Sequence, residues 1–576
     1  MNTLNVLLTG SNNLLILSCL FGLCSSLSVS RSSSENETSN VSFDILHVND
    51  IHAHFDQLNA INSRCRTESE KCYGGFPRLF ESVKSLRDSL NKSLLLNAGD
   101  YYEGTMWYTI FKYEPVIEFS NLLNYTAASI GNHEFDDGLE GLKPFIEGAN
   151  FPILACNIRY KGLESLQFKK SIVDISLGVK IGIIGYVTTE TAYSTNSSIP
   201  KLLEFLDEVP AIREEAKKLI KEGVKIIIAL GHSGYEKDLE IAKKVEEVDL
   251  VVGGHSHSFL YPKGETPPLN DHIVGDYPTY VSQSSGKVVP VVQAYCYSKY
   301  LGQLKVNFDG NGELLKPVKG SGISKAVVQL LDGKEDPYIE NVMKPYKDKL
   351  AQYYKTIGST NVVLARGRMK ESNLGDLVAD SMVHALKKPD AIAFINDDGI
   401  RSIIDKGSIT GEDVLSVAPF GNTLDLITIN GSSIRTVLEN VASKWGNGTY
   451  ATFLEISSGL KLVYSIKDDN VGQRIVSAKH KCSATNWCDL VDKNDYQIVL
   501  PNFLSEGGLE SPNFADLMKS KVKGNITDYA ALQAYINATS PINQGIEGRI
   551  TFLENSASSL AFALPLILST LFSHFL

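Results

Sequence analysis

The feature that most constrains this chain is a series of short apolar runs, most of which end in a polar residue of a type that binds metal ions. Between about Phe43 and Val306, runs such as SLLLNAG, KIIIALGH and DLVVGGH alternate with polar, helix-like stretches. This alternation predicts an α/β layered domain. Because the strands of such a sheet present loops at their ends, we expect the polar residues to converge on one site.

Five of these run ends carry carboxylate, imidazole or amide side chains: Asp50-Ile51-His52, Asp100, Asn132-His133, His232 and His255-Ser256-His257. Residues two positions apart on a strand face the same way, which puts Asp50 and His52 on one side. A single Asp-x-His is more often structural than functional, but five such ends in one domain predict a metal centre. This mixture of ligands favours zinc, manganese or iron over calcium.

The rest of the chain predicts a second domain. A polar, helix-spaced segment from Asp336 to Tyr354 follows the Gly-rich stretch 320–322 and predicts a connecting helix. We therefore expect a first domain over 41–322, a linker over 323–357 and a second, α+β domain over 358–552. Helix-like NLGDLVADSMVHAL and strand-like DLITIN and YQIVLPN support the last of these.

Both ends of the chain carry apolar segments. The run 14–24 precedes small residues and is typical of a secretory signal peptide, expected over 1–30, although no Lys or Arg precedes it and a retained anchor is the alternative. The run 560–576 follows small residues after Asn555 and is typical of a GPI-attachment signal, with attachment at Asn555 or Ser556 and a propeptide over 556–576. A plain tail anchor and an accidental apolar end are the alternatives.

Cysteines and sequons also indicate an exported protein, and the charge balance bears on its partners. The close pairs Cys65/Cys72 and Cys482/Cys488 predict local disulfides, whereas Cys156 and Cys296 either pair or stay free thiols. Nine Asn-x-Ser/Thr sequons suit a glycosylated surface. Lys and Arg number 55 against 66 Asp and Glu, a net charge of -11, so nucleic acid is not an expected partner.

The motifs as a set resemble the calcineurin-like metallophosphoesterases and, within them, the 5'-nucleotidase family. They are ILHVNDIHAHF (45–55), GGFPRL (74–79), LLNAGDYYEGT (95–105), GNHEFDDG (131–138), IIALGHSG (227–234), VVGGHSHSFLY (251–261), NDDGIRS (396–402), APFGNT (418–423) and LPNFLSEGG (500–508). The resemblance implies an N-terminal metallophosphoesterase domain and a C-terminal domain that binds the nucleotide.

The resemblance also implies two divalent metal ions, with zinc expected and manganese, cobalt, calcium and magnesium as alternatives. One ion would be held by Asp50, His52, Asp100 and His257, and the other by Asp100, Asn132, His232 and His255, so that Asp100 bridges them. His257 stands where the family commonly has an amide side chain. His133 and Asp136 resemble the family's catalytic dyad, in which the carboxylate orients the imidazole.

For the substrate, the resemblance implies contacts from Arg368, Asn396, Arg401, Phe420 and Phe503, with the arginines on phosphate and the two rings around the base. Two departures stand out: Asp397-Asp398 replaces a common Gly-Gly, and Leu509 replaces a ribose-binding Asp. One hypothesis is that Asp397 or Asp398 binds the ribose hydroxyls in place of the missing Asp. The contrary hypothesis is that their negative charge repels phosphate and weakens nucleotide binding.

The expected function is that of an extracellular, GPI-anchored, two-metal 5'-nucleotidase that hydrolyses AMP to adenosine and phosphate. An apyrase acting on ATP and ADP is the main alternative. A catalytically inactive binding relative, or a hydrolase of 2',3'-cyclic nucleotides or UDP-sugars, is less favoured. A homodimer formed through the C-terminal domain is a further expectation, which rests on the resemblance alone.

Overall fold

The computed structural model describes residues 40–65, 69–161, 168–195, 198–315, 322–367, 369–445, 453–465 and 471–553. The predicted signal peptide, the predicted GPI-attachment segment and Arg368 lie outside these ranges. Among the helices of the described part, none combines the length and the apolar character needed to cross a bilayer.

Two six-stranded sheets form the first part of the chain. In spatial order, the first sheet contains Ile323–Leu330, Tyr300–Phe308, Val41–Val48, Ser93–Asn97, Ala127–Ser129 and Ile153–Leu154. The second contains Thr279–Ser282, Val288–Val292, Leu250–Val252, Ile226–His232, Ile181–Val187 and Ser171–Asp174. In the first sheet the four strands from Val41–Val48 to Ile153–Leu154 are parallel and Tyr300–Phe308 is antiparallel to both of its neighbours. In the second sheet the four inner strands are parallel. Two short pairs accompany them, Phe259–Tyr261 with Ile273–Asp276 and Ile158–Tyr160 with Leu203–Phe205.

The apolar runs are buried on both faces because each sheet is covered on both sides. Leu94 and Leu96 pack with Ile181 and Ile183 of the second sheet, whereas Leu95 points to the opposite core beneath the helices. Continuous apolar runs are what such doubly covered parallel strands require. The helices of this part are Phe76–Ser89, Met106–Phe111, Tyr113–Leu123, Gly138–Gly148, Thr191–Ser194, Ile199–Leu202, Glu208–Lys221 and Tyr235–Lys244, with a 3-10 turn at His133–Phe135.

The predicted linker differs from the observed structure at its start. Residues Ile323–Leu330 form a strand that pairs antiparallel with Tyr300–Phe308, so the first sheet continues beyond residue 322. The predicted connecting helix is present as Pro337–Leu350, and the Asp336 side chain caps it by accepting from the backbone N–H of Tyr338 and Ile339. A 3-10 turn, Ala351–Tyr354, follows the helix.

The second part is α+β. A five-stranded sheet contains, in order, Leu454–Ile456, Ile392–Asn396, Asp495–Pro501, Leu424–Asn430 and Ser520–Val522. A four-stranded sheet contains Trp487–Asp489, Ile475–Lys481, Leu460–Ser465 and Ile550–Leu553, and Thr356–Thr360 pairs with Gly407–Thr410. The helices are Asn373–Ala385, Gly411–Val417, Gly431–Ser443, Asn502–Ser505, Phe514–Leu517 and Asp528–Thr539, with a 3-10 turn at Asp397–Gly399. The predicted α/β class and two-part architecture are confirmed.

Both predicted local disulfides are present, between Cys65 and Cys72 and between Cys482 and Cys488. Of the two alternatives for the remaining pair, the structure has Cys156 and Cys296 buried and not joined by a disulfide.

Candidate metal centre and substrate cleft

The five predicted run ends meet at the carboxyl edges of the two sheets. Asp50 follows Val41–Val48, Asp100 follows Ser93–Asn97 and Asn132 follows Ala127–Ser129, all in the first sheet. His232 ends Ile226–His232, and His255 follows Leu250–Val252, in the second sheet. Because parallel strands end at one edge of a sheet, two stacked sheets bring all five side-chain sets to one place.

Asp50, His52 and His257 form the first group of ligand atoms. The Nε2 atom of His257 lies 3.2 Å from Oδ1 of Asp50 and 3.0 Å from Nε2 of His52. The His52 Nε2 atom is 3.8 Å from Oδ1 of Asp50. Two imidazole nitrogens and a carboxylate oxygen at these separations are a suitable partial shell for a divalent cation.

Asp100, His232 and His255 form the second group. Oδ2 of Asp100 lies 2.9 Å from Nε2 of His232 and also 3.5 Å from Nε2 of His52, so this carboxylate stands between the two groups. Asn132 joins the second group, because its Oδ1 is 3.0 Å from Nδ1 of His255. The arrangement provides two adjacent ligand sets that share one carboxylate.

Backbone carbonyls fix the orientation of two of the imidazole rings. Nδ1 of His52 donates to the carbonyl oxygen of Tyr102 at 2.9 Å, and Nδ1 of His232 donates to that of Ala98 at 2.6 Å. A neutral ring that carries its proton on Nδ1 presents the lone pair of Nε2 to its other side. In both histidines that side faces the carboxylates, as metal ligation requires.

Several residues in the loops that carry the predicted ligands have strained backbone dihedral angles. Asp50, His52, Asp100, His255 and His257 all have positive φ, between 49° and 78°. This region costs a residue other than glycine of the order of 1 to 3 kcal/mol, and it persists where the surroundings hold it. Strain of this kind in three of the loops, those of Asp50 and His52, of Asp100, and of His255 and His257, is typical of a preorganised functional site.

The electrostatics of the centre suit a cation. Burial by itself raises the pKa of a carboxyl group, but the neighbouring His232 and His133 outweigh it and hold the pKa of Asp100 well below its ordinary value. The pKa of Asp50 is lowered in the same way by His257 and His232. Two buried, ionised carboxylates therefore lie among imidazoles, and the donor set fits divalent metal ions.

Glu134, which the sequence reasoning missed, ties the Asp100 loop to the Asn132 loop. Its Oε1 accepts from the backbone N–H of Tyr101 and Tyr102 at 2.7 and 3.0 Å. Its Oε2 accepts from Gly131 and Asp100 at 2.7 and 3.2 Å. Its place beside His133 in GNHEFDDG was a usable signal, because a buried carboxylate on a turn can collect several free backbone N–H groups.

The predicted pair His133 and Asp136 lies beside Asp100 and His52, and His133, Asp100 and His52 form a third group of possible ligand atoms. Nδ1 of His133 is 2.5 Å from Oδ2 of Asp136, and the backbone N–H of His133 donates to Oδ1 of Asp100 at 3.1 Å. Burial lowers the pKa of His133 and raises that of Asp136 well above its ordinary value. Both directions disfavour an imidazolium ion paired with a carboxylate ion at this contact.

Residues of the second part reach the same place across a cleft of about 1720 Å³. Nη2 of Arg401 lies 3.4 Å from Nε2 of His52, and the ring of Phe420 stacks on that of His133 with centroids 5.9 Å apart. Asn396 and Phe503 also line the cleft. Of the five residues predicted to bind substrate, these four are brought together, and Arg368 lies outside the described residues.

The two departures from the family pattern in the predicted nucleotide-binding region, Asp397-Asp398 and Leu509, have different surroundings. Asp397 is buried, and its Oδ2 lies 3.7 Å from Nη2 of Arg366, which also donates to the Asp397 carbonyl oxygen at 3.1 Å. Asp398 is exposed. Leu509 is buried in the apolar core of this part. Sequence reasoning missed Arg366, whose position facing the cleft comes from folding of its loop onto residues 396–399.

Residues 43–259 match the calcineurin-like phosphoesterase family, and residues 353–516 match the family of 5'-nucleotidase C-terminal domains. The human 5'-nucleotidase is 36% identical over 545 residues, covering 90% of this chain and 92% of that protein. A snake venom 5'-nucleotidase from Naja atra is 37% identical over 541 residues, covering 90% and 99%.

Among solved structures, the crystal structure of a 5'-nucleotidase precursor from Thermus thermophilus is similar throughout. It superposes with a TM-score of 0.80 at 30% identity, covering 89% of this chain and all of that one. The likeness therefore extends over both parts of the chain.

Proposed function

The chain belongs to the 5'-nucleotidase family of calcineurin-like phosphoesterases, and from this premise we propose that its substrate is AMP, hydrolysed to adenosine and phosphate. As a member of that family it is a metal-dependent phosphoric monoester hydrolase that acts on nucleoside 5'-monophosphates. One observation carries the proposal. Two ligand sets share Asp100, and Arg401 and Phe420 from the other half of the cleft lie beside them.

In the proposed site, Asp50, His52, Asp100 and His257 hold one divalent ion, and Asp100, Asn132, His232 and His255 hold the other. Bound there, the two ions supply Lewis acidity toward the phosphoryl oxygens and the attacking water. Zinc is the proposed metal, because the sets combine several imidazoles with few carboxylates. The placement of Asp100 between the two sets supports the proposal that it is a ligand of both ions.

His133 and Asp136 are proposed to manage the proton of the reaction. Water attacks phosphorus, the bond to the 5'-oxygen breaks, and the leaving alkoxide needs a proton. The His133–Asp136 pair holds one at the edge of the centre, and the carboxyl group keeps the ring in a fixed orientation. Arg401 is proposed to pair with phosphate oxygens, which a guanidinium does by two parallel hydrogen bonds.

The nucleoside is proposed to lie between Phe420 and Phe503, with Asn396 and Arg368 as further contacts. Both rings are only partly buried and line the cleft, unlike core aromatics. Leu509 offers no hydrogen bond to a ribose, so we propose that Asp397 takes that role. Its pairing with Arg366 offsets its charge and argues against simple repulsion of phosphate.

We further propose an extracellular, GPI-anchored protein with attachment at Asn555 or Ser556 and a propeptide over 556–576. The two disulfides support an oxidising compartment. Sequon residues Asn91, Asn124 and Asn525 are exposed, and a similar protein is a venom component. Homodimerisation through the C-terminal domain stays a prediction.

The test is phosphate release by the full chain, purified from a secretory host, with AMP, ADP, ATP and p-nitrophenyl phosphate. Each substrate is assayed with zinc, manganese, calcium or magnesium, beside an EDTA control and His133→Ala. Preference for AMP, lost in EDTA and in the variant, is the expected result. Preference for ADP and ATP would make the protein an apyrase, and cleavage of p-nitrophenyl phosphate alone would refute the nucleotide assignment.

A further inference from the structure

Glu190 is an acidic residue of the cleft to which the proposed function gives no role. It follows Ile181–Val187, a parallel strand whose end carries none of the predicted ligands. Its Oε2 atom nevertheless lies 3.5 Å from Nε2 of His255. The carboxylate therefore contacts the metal centre from behind one of its proposed ligands.

The two nitrogens of the His255 ring face different partners. Nδ1 lies 3.0 Å from Oδ1 of Asn132, within the second ligand group, whereas Nε2 faces Glu190. A neutral imidazole carries its proton on only one of these atoms. With the proton on Nδ1, the ring donates to Asn132 and cannot bind a metal there. With the proton on Nε2, the lone pair of Nδ1 points into the ligand group.

We propose that Glu190 is a positioning residue that accepts the Nε2–H of His255 and thereby selects the tautomer whose Nδ1 binds metal. The inference rests on the proposed function, since it concerns the same metal centre. A carboxylate behind a metal-binding histidine sets the tautomer, holds the ring plane and raises the basicity of the ligand atom. At this centre the competing partner, Asn132 Oδ1, makes such a selection necessary.

The surroundings of Glu190 hold its carboxylate in place. Its backbone N–H donates to the Thr188 hydroxyl at 3.2 Å, and its carbonyl oxygen accepts from Tyr193 and Ser194 at 2.9 Å. The Tyr193 hydroxyl also donates to its carboxylate. The side chain is 50% exposed, so its replacement removes the contact without opening a cavity in the core.

The experiment is a zinc titration of the metal-free full-length protein against a chromophoric chelator, for wild type, Glu190→Ala and Glu190→Gln. Loss of such a partner typically weakens metal affinity about 10- to 100-fold. We expect that loss in one of two zinc-binding steps for Glu190→Ala, and a smaller loss for Glu190→Gln, whose amide oxygen still accepts. The matched control is Glu236→Ala, an exposed acid on the same cleft wall.

Equal zinc affinities, within about twofold, for Glu190→Ala, Glu236→Ala and wild type would overturn the inference. So would a loss accompanied by a lower melting temperature of the metal-free variant, which indicates a structural role instead. The titration needs no turnover, so it separates the two proposals. AMP hydrolysis with unchanged zinc binding in Glu190→Ala refutes only the role of Glu190, and zinc binding without AMP hydrolysis in wild type refutes only the proposed substrate.

Discussion

Glu134→Gln is the sharpest test of how this sequence positions its metal centre. The substitution keeps the shape of the side chain and removes its charge. The carboxylate accepts four backbone N–H groups, two on each oxygen, from Asp100, Tyr101, Tyr102 and Gly131. An amide has one accepting oxygen, so two of the four N–H groups would face an NH2 donor.

The magnitude follows from those contacts. A hydrogen bond to a charged group contributes about 1.5 to 3 kcal/mol, so the loss of two predicts about 3 to 6 kcal/mol. Because the same bonds hold the Asp100 and Asn132 loops together, we expect weaker zinc binding as well as lower stability. Burial and the charge of Asp100 raise the pKa of Glu134 to about 7, so the assay is run at pH 8, where the carboxylate is largely ionised.

The assay compares free energies of unfolding from urea curves of the metal-free protein, together with zinc affinity by chelator competition. Glu147→Gln is the matched control, because this residue lies 62% exposed on helix Gly138–Gly148 and should change stability by less than about 0.5 kcal/mol. If Glu134→Gln unfolds within about 1 kcal/mol of wild type and binds zinc equally, the loops are held by other contacts and the reasoning fails.

Four further outcomes are expected. Phe503→Ala should raise KM for AMP about 5- to 150-fold and leave that for p-nitrophenyl phosphate unchanged, since a stacked base is worth about 1 to 3 kcal/mol; equal effects on both would exclude stacking. His257→Asn should weaken zinc binding more than magnesium binding, because imidazole suits zinc; parallel losses would contradict this. Asp397→Gly should raise KM for AMP alone, whereas faster AMP hydrolysis would show that the charge is harmful despite Arg366. Burial raises the pKa of Asp376 from 3.8 to about 9, so the folded state keeps a proton that the unfolded state releases, and stability falls by about 1.4 kcal/mol per pH unit between those values. Asp376→Asn should flatten urea-unfolding stability between pH 5 and 8, and an unchanged slope would count against this.

The convergence of the proposed metal ligands could be predicted because parallel strands make their ends visible in the sequence. A buried strand such as Ser93–Asn97 contains the unbroken apolar run Leu94-Leu95-Leu96, and the polar residues that follow this run lie toward the edge of the sheet. Glu190 stands at such an edge too, two residues beyond an unremarkable Thr188, and nothing local reveals that the His255 ring lies opposite. Contacts of this kind depend on the packing of two loops far apart in the sequence.

The end of the first sheet was missed for a different reason. Residues Ile323–Leu330 form an edge strand, and only two of its eight positions are buried. Its apolar stretch Ala326-Val327-Val328 lies between Lys325 and Gln329, and edge strands commonly carry such polar and charged residues, which discourage pairing with other chains. Similarly, short spacing predicts a disulfide between two cysteines that are close in the sequence. Whether the distant Cys156 and Cys296 form a disulfide depends on the tertiary fold alone.

The position of Arg401 explains why the two halves of the cleft form one site. Its guanidinium lies 3.4 Å from a ligand atom of His52 and 5.9 Å from the ring centroid of Phe420, so it links the metal centre with the proposed base clamp. At about 4 Å, two like unit charges repel by about 1 to 4 kcal/mol in surroundings between water and a protein surface. A centre that binds cations therefore disfavours Arg401 unless an anion lies between them. A phosphate group removes this repulsion, so the site proposed to bind phosphate lies between the metal ligands and Arg401, on the side of the cleft that also carries the rings proposed to hold the base.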